Sequence, residues 1–207
     1  MAVQMGPSCR LCRREGQKLM LKGERCRSEK CAYDRRPFPP GMRSVKRRKS
    51  SSEYTVQLRE KQKIKRIYGL LERQFRLYFQ RALKRAGVTG ENLLRLLEMR
   101  LDNVAYRMGF APSRKSARQM VLHSHFAVNG RTVNIPSYGV RQGDTVQVRE
   151  GSKNLDIVHG ALKSMKEMPD WLTVDKVKLM GTVVREPERA SIPMDVNERL
   201  VVEIYSK

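Results

Sequence analysis

Four cysteines stand in two pairs near the N-terminus: Cys9-x2-Cys12, then thirteen residues, then Cys26-x4-Cys31. Two tight turns that each offer two thiolates can close a tetrahedral shell around one metal. Zinc is the leading occupant, and a four-cysteine iron–sulfur cluster is the alternative. With four protein ligands the site would be structural, folding a segment too short to build its own core. Two disulfides or inert thiols are the competing readings, and an intracellular chain disfavours the first. The flanking residues are basic (Arg10, Arg13, Arg14, Lys18, Lys22, Arg25, Arg27 and Lys30). Such charge is expected to lower the thiol pKa values and to offset the charge of a four-thiolate site.

A second cluster comprises Arg107, Ser113, Arg114, Lys115, Arg118 and Gln119, with His123 and His125 just beyond. Arg114 and Arg118 fall one helical turn apart and are expected to project from one face, with Lys115 and Gln119 in the adjacent row. A helix start at Ser113 would add free backbone N–H groups, so the face suits phosphate. Glu98 and Asp102, near Arg95 and Arg100, read as ion pairing on a helix surface. No Gly-rich phosphate loop, HExxH or dinucleotide fingerprint is present, and nothing argues for catalysis.

The 207 residues carry a net charge of +22, distributed as a gradient. Residues 1–90 hold 25 Lys+Arg against 7 Asp+Glu, whereas residues 151–207 hold 9 of each. A polyanion-binding N-terminal half explains that gradient better than a general need for solubility, and nucleic acid is the leading partner. An anionic membrane surface is the weaker alternative, suggested by arginines beside Phe and Leu over 71–86. Aromatic residues make up only 6%, which argues against recognition by stacked bases. No run approaches the roughly 20 apolar residues of a membrane span. A soluble, cytoplasmic protein is expected.

These residues need elements to position them. The segment Arg36–Gly41 is rich in proline and reads as an extended connector. Arg43, Lys46, Arg47, Arg48 and Lys49 form a basic, serine-flanked cluster expected to order on a partner. Leu71, Phe75, Phe79 and Leu83 predict the apolar stripe of a helix that ends near Gly87. One helix from Thr89 would place Leu93, Leu97, Leu101, Val104 and Met108 on a single face. A third would start at Ser113 and run to His123, making a helix–turn–helix. Around Asn129-Gly130 the pattern predicts a hairpin, with further strands near 146–148, 172–179 and 182–185 and a helix over 153–167. The run 199–205 fits either a strand or a helix opened by Pro193. The fold class is α+β.

Several of these stretches resemble a known module. Arg100-Leu101-Asp102-Asn103, Arg107-Met108-Gly109-Phe110-Ala111 and Ser113-Arg114-Lys115-Ser116-Ala117-Arg118-Gln119 look like the RNA-binding module named after ribosomal protein S-four. The pattern continues through His123-Ser124-His125-Phe126-Ala127-Val128-Asn129-Gly130. Glu60-Lys61-Gln62-Lys63, Arg66-Ile67-Tyr68-Gly69, the four cysteines and the C-terminal residues 193–207 resemble the bacterial S-four family of the small ribosomal subunit.

The resemblance implies a metal-binding extension over 1–45 and a helical rRNA-binding domain over 46–92, completed by 186–207. The module would occupy 93–185 as an insertion. It implies a primary assembly protein that clamps a multi-helix junction in the 5′ domain of 16S rRNA. It also implies a place near the channel through which mRNA enters, and contact with ribosomal protein S-five that influences accuracy. Some family members repress their own operon. The expected RNA-binding residues are Arg10, Arg13, Arg14, Lys22, Arg25, Arg35 and Arg36 in the extension, and the cluster 43–49 across its boundary with the helical domain. In the helical domain they are Arg59, Lys61, Lys63, Lys65, Arg66, Arg73 and Arg76. In the module they are the second cluster above, with Asn129 and Arg131. An extra-ribosomal regulator or rescue factor using the same module is the alternative; an rRNA-modifying enzyme is disfavoured, because no segment remains for a catalytic domain.

Overall fold

A computed structural model describes residues 6–41, 52–165 and 168–206. Its helices are α1 (Ser8–Glu15), α2 (Ala32–Arg35), α3 (Glu53–Ile67), α4 (Glu72–Leu83), α5 (Thr89–Glu98), α6 (Leu101–Arg107), α7 (Arg114–Leu122), α8 (Asp156–Ser164) and α9 (Glu198–Ser206). Its strands are β1 (Phe126–Val128), β2 (Arg131–Thr132), β3 (Thr145–Val148), β4 (Leu172–Asp175) and β5 (Met180–Val183). The chain divides into two compact units: one reaches Gly90 and takes up the chain again from Met194, and the other is Glu91–Pro193.

In the first unit Ser52 caps α3 by accepting from the Thr55 backbone N–H at 3.4 Å. The helix buries Gln57, Ile64 and Ile67 on one face and packs against α9. Gly69, at φ +63°, supplies the left-handed step that turns α3 into α4. Helix α4 buries Phe75, Tyr78, Phe79 and Ala82, and Tyr205 of α9 stacks on Phe79 with ring centroids 4.5 Å apart. The expected stripe needs correction at its end, because Leu83 is exposed. Steps of four overshoot the 3.6-residue turn by about 40° each, so Leu83 has rotated about 120° away from Leu71. Tyr78 and Ala82 take the buried places.

The second unit is built on an antiparallel sheet of order β2-β1-β3-β5-β4. Asn129 and Gly130 both have positive φ, 49° and 77°, and close the β1–β2 hairpin with Val128 opposite Arg131. The core gathers Leu101, Val104, Met108, Phe110, Val121, Phe126, Val146, Val148, Trp171 and Val183.

The single helix expected from Thr89 is two, because Arg100 is extended (φ −76°, ψ 141°) and bridges to Gly139. The apolar face survives the break, since Leu93, Leu97, Leu101, Val104 and Met108 are all fully buried. The helix expected over 153–167 is confined to Asp156–Ser164, and the ambiguous run 199–205 is helix α9. Helices and an antiparallel sheet in separate regions make an α+β fold.

Candidate nucleic-acid interface

Cations on α3 are mostly engaged within the protein. Arg59 and Arg66 both reach the Glu15 carboxylate, whose side chain is fully buried, and the Arg59 contact is 3.3 Å. Burial raises the Glu15 carboxyl and lowers the Arg66 guanidinium, while each partner's charge acts the other way. Lys63 pairs with Glu60. Lys61 and Lys65 hold Glu72 at 2.8 and 2.9 Å, and the Tyr205 hydroxyl donates to the same carboxylate at 2.8 Å. Of these five cations, expected to face RNA, Arg59, Arg66, Lys61 and Lys65 close α1 and α4 against α3, and Lys63 pairs within α3.

Glu72 also fixes how this unit should respond to acid. Burial pushes its carboxyl up, but the bonds from Lys61, Lys65 and Tyr205 outweigh burial and hold it at about 2. A depressed carboxylate contributes stability above its unfolded pKa of roughly 4.3 and loses it as pH falls toward 2. The side chain is nearly half exposed, so screening limits the contribution to about 1 kcal/mol. Melting of the chain at pH 5 and pH 3 should show this loss. Glu72→Gln should lower the melting temperature at pH 5 and shrink the difference between the two; an undiminished difference would remove Glu72 from the account.

Helix α4 differs from α3. Arg73, Arg76, Arg81 and Lys84 are exposed on the face opposite Phe75, Phe79 and Ala82. Arg81 lies 5.7 Å from the Tyr78 ring centroid. Arg73, Arg76 and Lys84 form no ion pair with any described residue. Spacing alone gives no reason to rank the cations of α4 above those of α3. Only the distribution of carboxylates separates the two helices.

In the second unit the expected arginine face is largely internal. Glu98 is completely buried and takes both Arg107 donors, Nε at 2.9 Å and Nη2 at 2.7 Å. Asn103 donates to Glu98 at 2.6 Å and accepts from Arg114 Nε at 2.7 Å. The Arg114 guanidinium also lies 4.6 Å from the Tyr106 ring centroid. Asp102 receives Arg100 through two bonds, 3.0 and 2.7 Å, and Arg118 Nη1 at 3.4 Å. Glu98, Arg100, Asp102 and Arg118 are all buried. The expected surface pairing of Glu98 and Asp102 is therefore corrected to a buried network; Arg95 lies outside it and meets the partly exposed Glu186 at 3.5 Å. Arg114 and Arg118 do not present one solvent-facing row. A charge in the interior is tolerated only when paired, and these carboxylates hold the arginines inward.

Ser113 does cap α7, accepting from the Ser116 N–H at 3.2 Å. Lys115 and Gln119 of that helix are exposed, as are His123 and Arg131. His125 is half-buried, and its Nδ1 lies 2.8 Å from Ser152 Oγ. Burial, then His123 and Arg149, lower its pKa, which disfavours a cationic role at neutral pH. The Asn129 side chain turns back to the fold, accepting from the Thr145 N–H at 2.9 Å and donating to Asp144 at 2.8 Å. Arg43, Lys46, Arg47, Arg48 and Lys49 lie outside the described residues.

All four cysteines are free thiols, and Cys12, Cys26 and Cys31 are buried. Backbone N–H groups point at two sulfurs, from Leu19 to Cys12 and from Lys22 to Cys26 at 3.3 Å. Burial raises the Cys12 thiol, the Leu19 bond offsets part of this, and Cys26, Cys9 and Cys31 add repulsion. The basic surroundings were expected to lower it, but the Leu19 bond is what offsets burial. The donor set and the N–H···S bonds suit a soft metal. Among the described residues, however, no three His, Cys, Asp or Glu side chains stand at ligating distance. Around them Arg10, Arg14, Lys22, Arg25, Arg35 and Arg36 are exposed, while Arg13 is half-buried.

Two family profiles match successive stretches of the chain. The Ribosomal protein S4/S9 N-terminal domain matches residues 4–98, and the S4 domain matches residues 99–146. Small ribosomal subunit protein uS4 of Caldicellulosiruptor bescii is 57% identical over 211 residues, covering all of both chains. The uS4 proteins of Thermus thermophilus and of a Geobacter species are 54% and 56% identical, again over the full length of each. The chain belongs to the uS4 family of small ribosomal subunit proteins.

Proposed function

We propose that the chain is a structural, rRNA-binding component of the cytoplasmic small ribosomal subunit. It acts through binding rather than catalysis. Its target is a multi-helix junction in the 5′ domain of 16S rRNA, bound early in assembly. The observation that carries this is the exposed face of α4, where Arg73, Arg76 and Lys84 form no ion pair with any described residue, in a half of the chain with net charge +18. Double-helical RNA hides its base edges in a deep groove, so a junction is read through phosphates, 2′-hydroxyls and shape. Full-length identity above 50% to small-subunit proteins supports the setting. Contact with ribosomal protein S-five, an effect on accuracy and a position near incoming mRNA complete the proposal.

Binding to a 5′-domain fragment, compared with an unrelated RNA of equal length across a salt series, tests it. A preference of about a thousandfold at near-physiological salt is expected. Equal affinities that vanish together would reduce the reading to net charge and favour an extra-ribosomal regulator with another target.

We also propose that Cys9, Cys12, Cys26 and Cys31 hold one structural metal, zinc before an iron–sulfur cluster. Bound there, the metal would tie the two cysteine turns together. Cys26→Ser with Cys31→Ser should abolish metal in the purified chain and open residues 1–45 to trypsin, with residues 93–180 still protected. Undiminished resistance of 1–45 would exclude a folding role for a metal.

A further inference from the structure

We infer that Glu15 is a specificity-determining residue: it neutralises Arg59 and Arg66 inside the protein and so withholds two cations from polyanions that lack the target's shape. This deepens the rRNA-binding proposal and rests on it. Glu15 is the last residue of α1. Tyr33 of α2 donates its hydroxyl to the Gly16 carbonyl, and Arg13 Nε donates to the Phe38 carbonyl at 2.9 Å. The last turn of α1 is thus held from two sides, and the Glu15 side chain lies against α3 with no solvent exposure. Arg59 and Arg66, two turns apart on α3, both donate to its Oε1.

A carboxylate in this place acts as a mask as well as a brace. Lys63 and Arg14 are also near enough for their charge to act on it, so cations outnumber it. No second carboxylate relieves it. Glu60 takes Lys63 and the Asn197 backbone N–H, and Glu72 takes Lys61, Lys65 and Tyr205. Among the described residues Glu15 is the only acidic partner of Arg59 and Arg66. The joint is also incompletely satisfied, since Glu15 Oε2 and Arg66 Nε are buried without a hydrogen-bond partner among those residues. A pair so matched contributes little to stability, because desolvation offsets its attraction, and an apolar contact would brace the helices as well.

What the carboxylate does change is the number of cations available to an anion. The Arg59 side chain is 27% exposed and that of Arg66 14%, so each has a short path to solvent once released. Binding without shape recognition runs on phosphate neutralisation, and every solvent-facing cation adds to it. In the complex with the target, register is set by shape and by the exposed cations of α4, so two further arginines on α3 add less. Masking them lowers affinity for unrelated RNA more than for the target.

The test uses the full chain with the 5′-domain fragment and an unrelated RNA of equal length, across a salt series. Glu15→Gln should raise affinity for the unrelated RNA about tenfold and steepen its slope of log K against log salt by about 1–2. Affinity for the fragment should rise by less than about threefold, so the preference falls. Adding Arg59→Gln and Arg66→Gln to Glu15→Gln should restore the wild-type slope; a slope that stays steep would trace the effect to a loosened α1 and overturn the inference. An unchanged slope in Glu15→Gln, with wild-type preference intact, overturns it too and leaves the rRNA proposal standing. Loss of preference in the wild type defeats both. The wild type alone supplies a further check, independent of how the variants fold: phenylglyoxal should modify Arg73 and Arg76 well before Arg59 and Arg66. Equal rates at the four arginines would mean that no mask exists.

Discussion

Glu98→Ala is expected to destabilise residues 91–193 by about 3–5 kcal/mol, the usual cost of leaving a buried charge unmatched. The carboxylate has no solvent exposure and holds Arg107 through two bonds, Asn103 through one and Arg114 at 3.8 Å. Removing it leaves two guanidiniums in a nearly dry site with one acceptor fewer each. A domain holds only about 5–15 kcal/mol in total, so the variant should be close to unfolding at 37 °C. The only tryptophan, Trp171, is 1% exposed within this unit's core, and its fluorescence reports the transition in urea. Glu91→Ala, an exposed change on the same helix, should move the midpoint little. A Glu98 variant less than about 1 kcal/mol weaker than wild type would contradict a buried network. The same logic governs Arg114 and Arg118. Replacing them should impair RNA binding through folding, because Asn103, Glu98 and Asp102 lose their partners, rather than through lost phosphate contacts.

The second large effect concerns RNA affinity. Replacing Arg73, Arg76 and Lys84 with Gln should flatten the salt dependence of 5′-domain binding by about 2–3 in slope, since each phosphate contact contributes about 0.9. Affinity near physiological salt should fall by about two orders of magnitude or more. All three side chains are exposed and outside ion pairs among the described residues, so folding should be unaffected. The matching triple change at Lys61, Lys63 and Lys65 should behave differently. Those cations pair with Glu72 and Glu60, so their loss should lower the melting temperature and change the slope by less than half as much. Equal slope changes in the two variants would show that both helices contact phosphate alike.

Much of this protein was determined by local sequence. The Asn129-Gly130 hairpin formed as expected because left-handed backbone is a property of those two residues themselves. Ser113 capped α7 because a hydroxyl three residues from an N–H needs no distant partner. Full-length motif similarity carried the family. Charge counting located the basic half of the chain, because net charge is additive over residues.

What counting could not give is which cations are left over. Arg118 and Lys115 are neighbours of similar chemistry in one short helix, yet one is buried on Asp102 and the other is exposed. Arg66 on α3 and Arg73 on α4 differ in the same way, one closing on Glu15 from a helix 51 residues earlier. The break at Arg100 likewise depends on Gly139 and Asp102, not on the helical propensity of the residues around it. Pairing of charges is a property of three-dimensional proximity, and its energy depends on burial that the chain acquires only when folded. Sequence set the number and type of charges; tertiary structure decided which ones the protein keeps for itself and which it offers to a partner.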